Sequence, residues 1–130
     1  MDFMELAIKE AEKARAKGEV PIGCVIVKDG KVVAVGRNMR ERKRSATAHA
    51  EIVAITKACK KLRSWRLTDC EMYVTLEPCQ MCLGAAVNAR IKKVYAGARS
   101  TTDLNWQTNI EFTDNARCSA ILVDFFKEKR

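Results

Sequence analysis

Apolar residues recur along the chain in two forms: helical spacing and short unbroken runs. Met4, Ala7, Ile8, Ala11 and Ala14 share one helical face; Asp2 can cap this helix, and Gly18 supplies the left-handed residue that ends it near Lys17. Ile22 to Val27 and Val32 to Val35 are branched apolar runs, and the Asp-Gly pair inside Lys28-Asp29-Gly30-Lys31 predicts a tight hairpin between them. Neither run alternates with polar residues, so both faces of both strands should be covered, as flanking helices would cover them.

After Gly36-Arg37-Asn38 the polar, basic stretch to Thr47 reads as a surface loop. A second helix begins near Ala48, with Ile52, Ile55, Cys59 and Leu62 as its buried stripe. Met72 to Thr75 is a third strand, halted by Leu76-Glu77-Pro78 because the residue before proline is pushed away from helical angles. The third helix starts at Cys79 and Cys82 and carries Cys82, Ala85, Ala86 and Ala89 on one face, small enough to approach a sheet closely. Lys93 to Ala96 predicts a fourth strand, Gly97 to Thr108 is irregular, and Asn109 to Thr113 predicts a fifth. Asp114 then caps a last helix with Cys118, Ile121, Leu122 and Phe125 in register. A hairpin followed by alternating helices and strands predicts an α/β fold: a three-layer α/β/α sandwich with a mixed five-stranded sheet, one domain over 1–130. The segment between strands four and five is short for a parallel crossover, which needs roughly a dozen residues.

Composition narrows the class. No apolar run approaches the roughly 20 residues of a membrane span, and Met1-Asp2-Phe3-Met4-Glu5 lacks the basic and apolar regions of a signal peptide, so the expectation is a cytoplasmic protein. In a reducing compartment Cys24, Cys59, Cys70 and Cys118 are buried thiols, not disulfide partners. Lys and Arg number 24 against 16 Asp and Glu, a net charge of +8. That excess favours a polyanionic partner, and it concentrates at Arg40, Arg42, Lys43 and Arg44 before His49 and at Lys57, Lys60, Lys61, Arg63 and Arg66 after it.

His49 is the one histidine in the chain. With Cys79 and Cys82 it makes a nitrogen and sulfur set suited to zinc, three protein ligands that leave a fourth position for water. Cysteines at i and i+3 at a helix start gain from the positive end of the helix dipole, which favours thiolates. Residues two apart do not share a helix face, so His49 and Glu51 can converge only at a helix start. Beside zinc, which brings the pKa of its water to about 7, Glu51 is the proton carrier for hydrolytic removal of an amino group. Asn38, at the end of the second strand, can donate to and accept from a base edge or a ribose.

His-Ala-Glu followed by Pro-Cys-x-x-Cys is the signature of the zinc nucleobase deaminases. From about Glu5 to Arg99 the sequence resembles the bacterial tRNA adenosine deaminases, in Glu19-Val20-Pro21-Ile22-Gly23, Gly36-Arg37-Asn38, Thr47-Ala48-His49-Ala50-Glu51 and Val74-Thr75-Leu76-Glu77-Pro78-Cys79. Ala89-Arg90-Ile91 and Gly97-Ala98-Arg99 agree as well. The resemblance implies a cytidine-deaminase fold, Zn(2+), a homodimer, and conversion of the wobble adenosine of a tRNA anticodon to inosine. It also implies that Asn38 and the Ala50 N–H hold the base, that Glu19, Val20 and Pro21 line the anticodon-loop pocket, and that Pro78 belongs to the same substrate site. Arg42, Lys43 and Arg44 are the expected nucleic-acid contacts. After Arg99 the family pattern gives way to Ser100-Thr101-Thr102-Asp103-Leu104-Asn105-Trp106, where Trp106 is a candidate for base stacking or for core. The competing functions are a deaminase of free bases or nucleosides such as guanine or cytosine, a non-catalytic zinc subunit of a heteromeric enzyme, and a deaminase of single-stranded DNA.

Overall fold

The computed structural model describes residues 2–100 and 110–128. The chain runs α1 (Phe3–Ala16), β1 (Gly23–Lys28), β2 (Lys31–Arg37), α2 (Arg40–Lys43), α3 (Ala50–Leu62), β3 (Cys70–Leu76), α4 (Gln80–Asn88), β4 (Lys93–Ala98), β5 (Ile110–Phe112) and α5 (Ala116–Glu128). The strands form one sheet in the order β2-β1-β3-β4-β5. β1 pairs antiparallel with β2 and β3, whereas β3 with β4 and β4 with β5 are parallel. The mixed five-stranded sheet of the sequence reading is therefore present, and the short connection after β4 does lead to a parallel neighbour. Trp106 lies outside the described residues.

Two cores form because β1 sends successive side chains to opposite faces. Cys24 and Ile26 join Met72, Val74 and the alanines of α3 and α4, whereas Val25 and Val27 join Met4, Ala7 and Ile8 of α1 and Cys118 of α5. Asp2 accepts from the Glu5 N–H and caps α1 as expected. The β1–β2 turn places Asp29 and Gly30 at φ 51° and 75°, the left-handed pair that a two-residue hairpin requires.

Four readings are corrected. β1 is buried on both faces, but β2 is only half-buried because it is the sheet edge and pairs with β1 alone. The stretch before His49 is not all loop, since Arg40–Lys43 makes one helical turn. In α3 the fully buried face is Ala50, Val53, Ala54 and Ala58, while Ile52, Ile55, Cys59 and Leu62 are half-buried at its flank. The reason is close approach: a Cβ on Gly36 would stand 2.4 Å from the Ala50 carbonyl oxygen and 2.7 Å from the Ala54 nitrogen. Small residues on both sides let α3 lie directly on β2, and its larger side chains move to the periphery. Finally, Asp114 is left-handed at φ 49°, and Asn115 Oδ1 accepts the Arg117 N–H at 2.9 Å. Asn115, not Asp114, caps α5.

Candidate active site

Two helix starts meet at one point. His49 is the N-cap residue of α3 and Cys79 that of α4, both with extended backbone and neither using its side chain as a cap. Cys79 Sγ lies 3.6 Å and Cys82 Sγ 3.5 Å from His49 Nδ1. For tetrahedral coordination with Zn–S near 2.3 Å and Zn–N near 2.05 Å, the S to N edge should be about 3.6 Å. The donor set and its spacing thus fit zinc, with Nδ1 as the nitrogen that faces the sulfurs. All three ligand atoms lie within 4.8 Å of one another, the one such group among the described residues. Burial, then the charge of Arg40, lowers the His49 pKa and favours the neutral imidazole that a metal needs. Burial raises the Cys82 thiol well above its usual range, with Glu51 and Cys79 adding to the rise. Without a cation this sulfur is held protonated, and a bound metal would reverse that.

Glu51 sits in the first turn of α3 and is 4% exposed. Burial pushes its carboxyl up to about 7, against the opposing effect of its own backbone N–H and the Cys82 thiol. A group that titrates near neutrality can both take and release a proton. Asn38 is buried directly after β2, where its backbone N–H donates to the Ile22 carbonyl oxygen at 3.1 Å. Its Oδ1 accepts the Arg40 N–H at 3.1 Å, so half of its side-chain amide shapes the turn into α2. Ala50 is the first residue of α3, where a helix N–H has no intrahelical acceptor.

The other expected site residues divide by exposure. Val20 is half-buried and lines a cleft with Glu19, Asn38, Arg40, Glu41, Phe125 and Phe126. Pro21 and Pro78 are fully buried, so neither side chain is open to solvent. Glu19, also buried, gives both carboxylate oxygens to backbone N–H groups of α2. Arg42, Lys43 and Arg44 are exposed, and among the described residues none pairs with a carboxylate. Gly36 is the positioning residue the sequence reading passed over. A lone glycine inside an apolar strand was its signal, because such a glycine often marks a close backbone approach.

The comparisons agree with this geometry. A model of the cytidine and deoxycytidylate deaminase zinc-binding region matches residues 1–98, and the chain belongs to that family of zinc-dependent deaminases. Within it, the chain is 44% identical over 128 residues to a tRNA-specific adenosine deaminase of Bacillus subtilis (strain 168), covering 98% of this chain and 71% of that one. A solved structure from studies of A-to-I editing by tRNA:A34 deaminases at the wobble position of transfer RNA superposes with a TM-score of 0.85 at 37% identity, over 92% of this chain and 98% of the other. A guanine deaminase from Bacillus subtilis is 43% identical with a TM-score of 0.74, over 78% of this chain and 67% of that one. Among the described residues no helix is long and apolar enough to cross a membrane.

Proposed function

We propose that the protein deaminates adenosine to inosine in RNA, at the wobble position of a tRNA anticodon, with His49, Cys79 and Cys82 holding Zn(2+). The observation that carries this reading is the buried Glu51 carboxyl beside the His49, Cys79 and Cys82 cluster, next to a rim whose Arg42, Lys43 and Arg44 form no ion pair among the described residues. Zinc bound there supplies a nucleophile at neutral pH by acidifying water. Glu51 takes a proton from the attacking water, delivers it to the ring nitrogen beside the amino-bearing carbon, and passes a proton to the departing ammonia. The Ala50 N–H and the Asn38 amide orient the base, Val20 lines its entrance, and Pro21 and Pro78 shape the pocket from behind.

RNA is favoured over a free base by the rim. Arg42, Lys43 and Arg44 are exposed on and beside α2, and Lys43, Lys57 and Lys60 line one groove with Ser45, Thr47 and Thr56. Lysines and hydroxyls without a carboxylate suit backbone phosphates and do nothing for an uncharged base. The protein acts in the cytoplasm as a homodimer: α4 exposes Met81 and Val87, and Trp65, 56% exposed, lies near Arg90 at the end of α4. A second copy would cover that apolar surface. Sedimentation of the zinc-loaded protein tests the dimer.

Incubating the protein with total tRNA and, separately, with free adenosine, cytidine, cytosine and guanine tests the substrate. Inosine in tRNA is the expected product. Efficient turnover of a free base with tRNA unmodified would overturn the reading in favour of the base.

A further inference from the structure

The one-turn helix α2 cannot hold itself. Four residues are too few for a stable turn in water, and Met39 at the N-cap offers no side-chain hydrogen bond. The first N–H groups of α2 are accepted by side chains outside it. Arg40 N–H donates to Asn38 Oδ1 at 3.1 Å, Glu41 N–H to Glu19 Oε1 at 3.1 Å, and Arg42 N–H to Glu19 Oε2 at 2.9 Å. Just before the turn, Met39 N–H donates to the Ala48 carbonyl oxygen at 2.9 Å, which straps the segment to the residue preceding His49.

Glu19 is 3% exposed and precedes α2 by some twenty residues. A carboxylate persists in such a place only where donors meet it, and here the donors are the backbone of α2. The segment cannot shift without stripping Glu19 of both partners. Its backbone is therefore fixed from below, while every side chain from Arg40 to Arg44 stays exposed.

We infer that Glu19 is a positioning residue for RNA binding: its carboxylate holds α2 so that Arg42, Lys43 and Arg44 stand at a set distance from His49 and Glu51 and meet the substrate backbone in one register. Glu19 itself touches no RNA. The inference rests on the RNA reading above, and it assigns to Glu19 a role other than lining the anticodon pocket.

Two measurements on the zinc-loaded protein test it. In Glu19→Ala, amide hydrogen exchange at Glu41 and Arg42 should accelerate at least about tenfold with α3 amides unchanged, a readout that needs no substrate. Unchanged exchange at those two amides overturns the inference. With a tRNA anticodon stem-loop bearing the wobble adenosine, Glu19→Ala should raise KM about tenfold with kcat nearly kept, and Glu19→Gln, which keeps one acceptor oxygen, about threefold. In a background of Arg42→Ala, Lys43→Ala and Arg44→Ala, either Glu19 substitution should add less than about twofold, because its effect runs through those cations. If the effects multiply instead, Glu19 acts elsewhere and the inference alone is overturned. If Glu19→Ala loses its zinc or its fold, Glu19→Gln carries both measurements. A wild-type protein that neither binds nor deaminates the stem-loop overturns the RNA reading, and the inference with it.

Discussion

The centre of the site and its rim are built in opposite ways. At the centre, His49, Glu51, Cys79 and Cys82 sit at the starts of α3, which packs on the sheet through alanines, and of α4, which packs beside α3. Their side chains are placed by well-buried elements, and Glu51 is almost inaccessible. At the rim, Arg40–Lys43 is one exposed turn whose first N–H groups donate to Asn38 and Glu19, with Met39 just before it donating to the Ala48 carbonyl oxygen. Reaction chemistry demands fixed atoms in low dielectric, where a shifted carboxyl is useful. Phosphate contacts demand exposed cations with a steady backbone beneath them. The division teaches that damage to the centre should appear in turnover and metal content, and damage to the rim in substrate affinity and its salt dependence.

The largest effect should come from removing a sulfur. Cys82→Ala is expected to lose zinc and all measurable turnover, because three ligands are the minimum this site offers; elemental analysis checks it, and full zinc retention would sink the ligand assignment. Next, Glu51→Ala should keep its metal and lose at least about a hundredfold in rate, the scale of general acid/base catalysis. Turnover measured beside zinc content separates the two roles, and near-normal turnover with zinc bound would remove Glu51 from the mechanism.

Gly36→Ala attacks the centre from behind. The added methyl meets the Ala50 and Ala54 backbone, which cannot swing aside as a side chain can, so a loss of about 1–3 kcal/mol is expected in urea unfolding. Unchanged stability would show that α3 can retreat from β2. The mildest effect belongs to the rim. Replacing Arg42, Lys43 and Arg44 by alanine should leave the zinc content intact and weaken tRNA use, with the slope of log affinity against log salt falling by about two. A salt slope equal to the wild type would mean that these cations meet no phosphate.

Much of this was legible along the chain. The helix and strand periodicities gave the order of the main elements, since a period of 3.6 or an unbroken apolar run survives in any tertiary setting that buries it. The His49, Cys79 and Cys82 cluster was legible for a different reason: candidate metal ligands are specific residue types, and helix starts allow few spacings. Where pattern and packing diverged, distance between elements was the cause. Ile52, Ile55, Cys59 and Leu62 are the more apolar stripe of α3, yet the alanine face is buried, because Gly36 on another element lets the backbones touch.

The sequence by itself determined the strands, the longer helices, the sheet class and the candidate zinc ligands, because each is written in residue types and local spacing. Tertiary structure alone decided the rim. Nothing within Arg40 to Arg44 marks a helix, for the groups that accept its N–H bonds lie at Asn38 and at the distant Glu19. Only folding brings β1 and β2 side by side, and so sets Glu19, in the segment that leads into β1, beneath the turn that follows β2. A hydrogen bond between residues far apart in sequence leaves no periodicity to read, and its partners become visible only when the sheet has closed the distance.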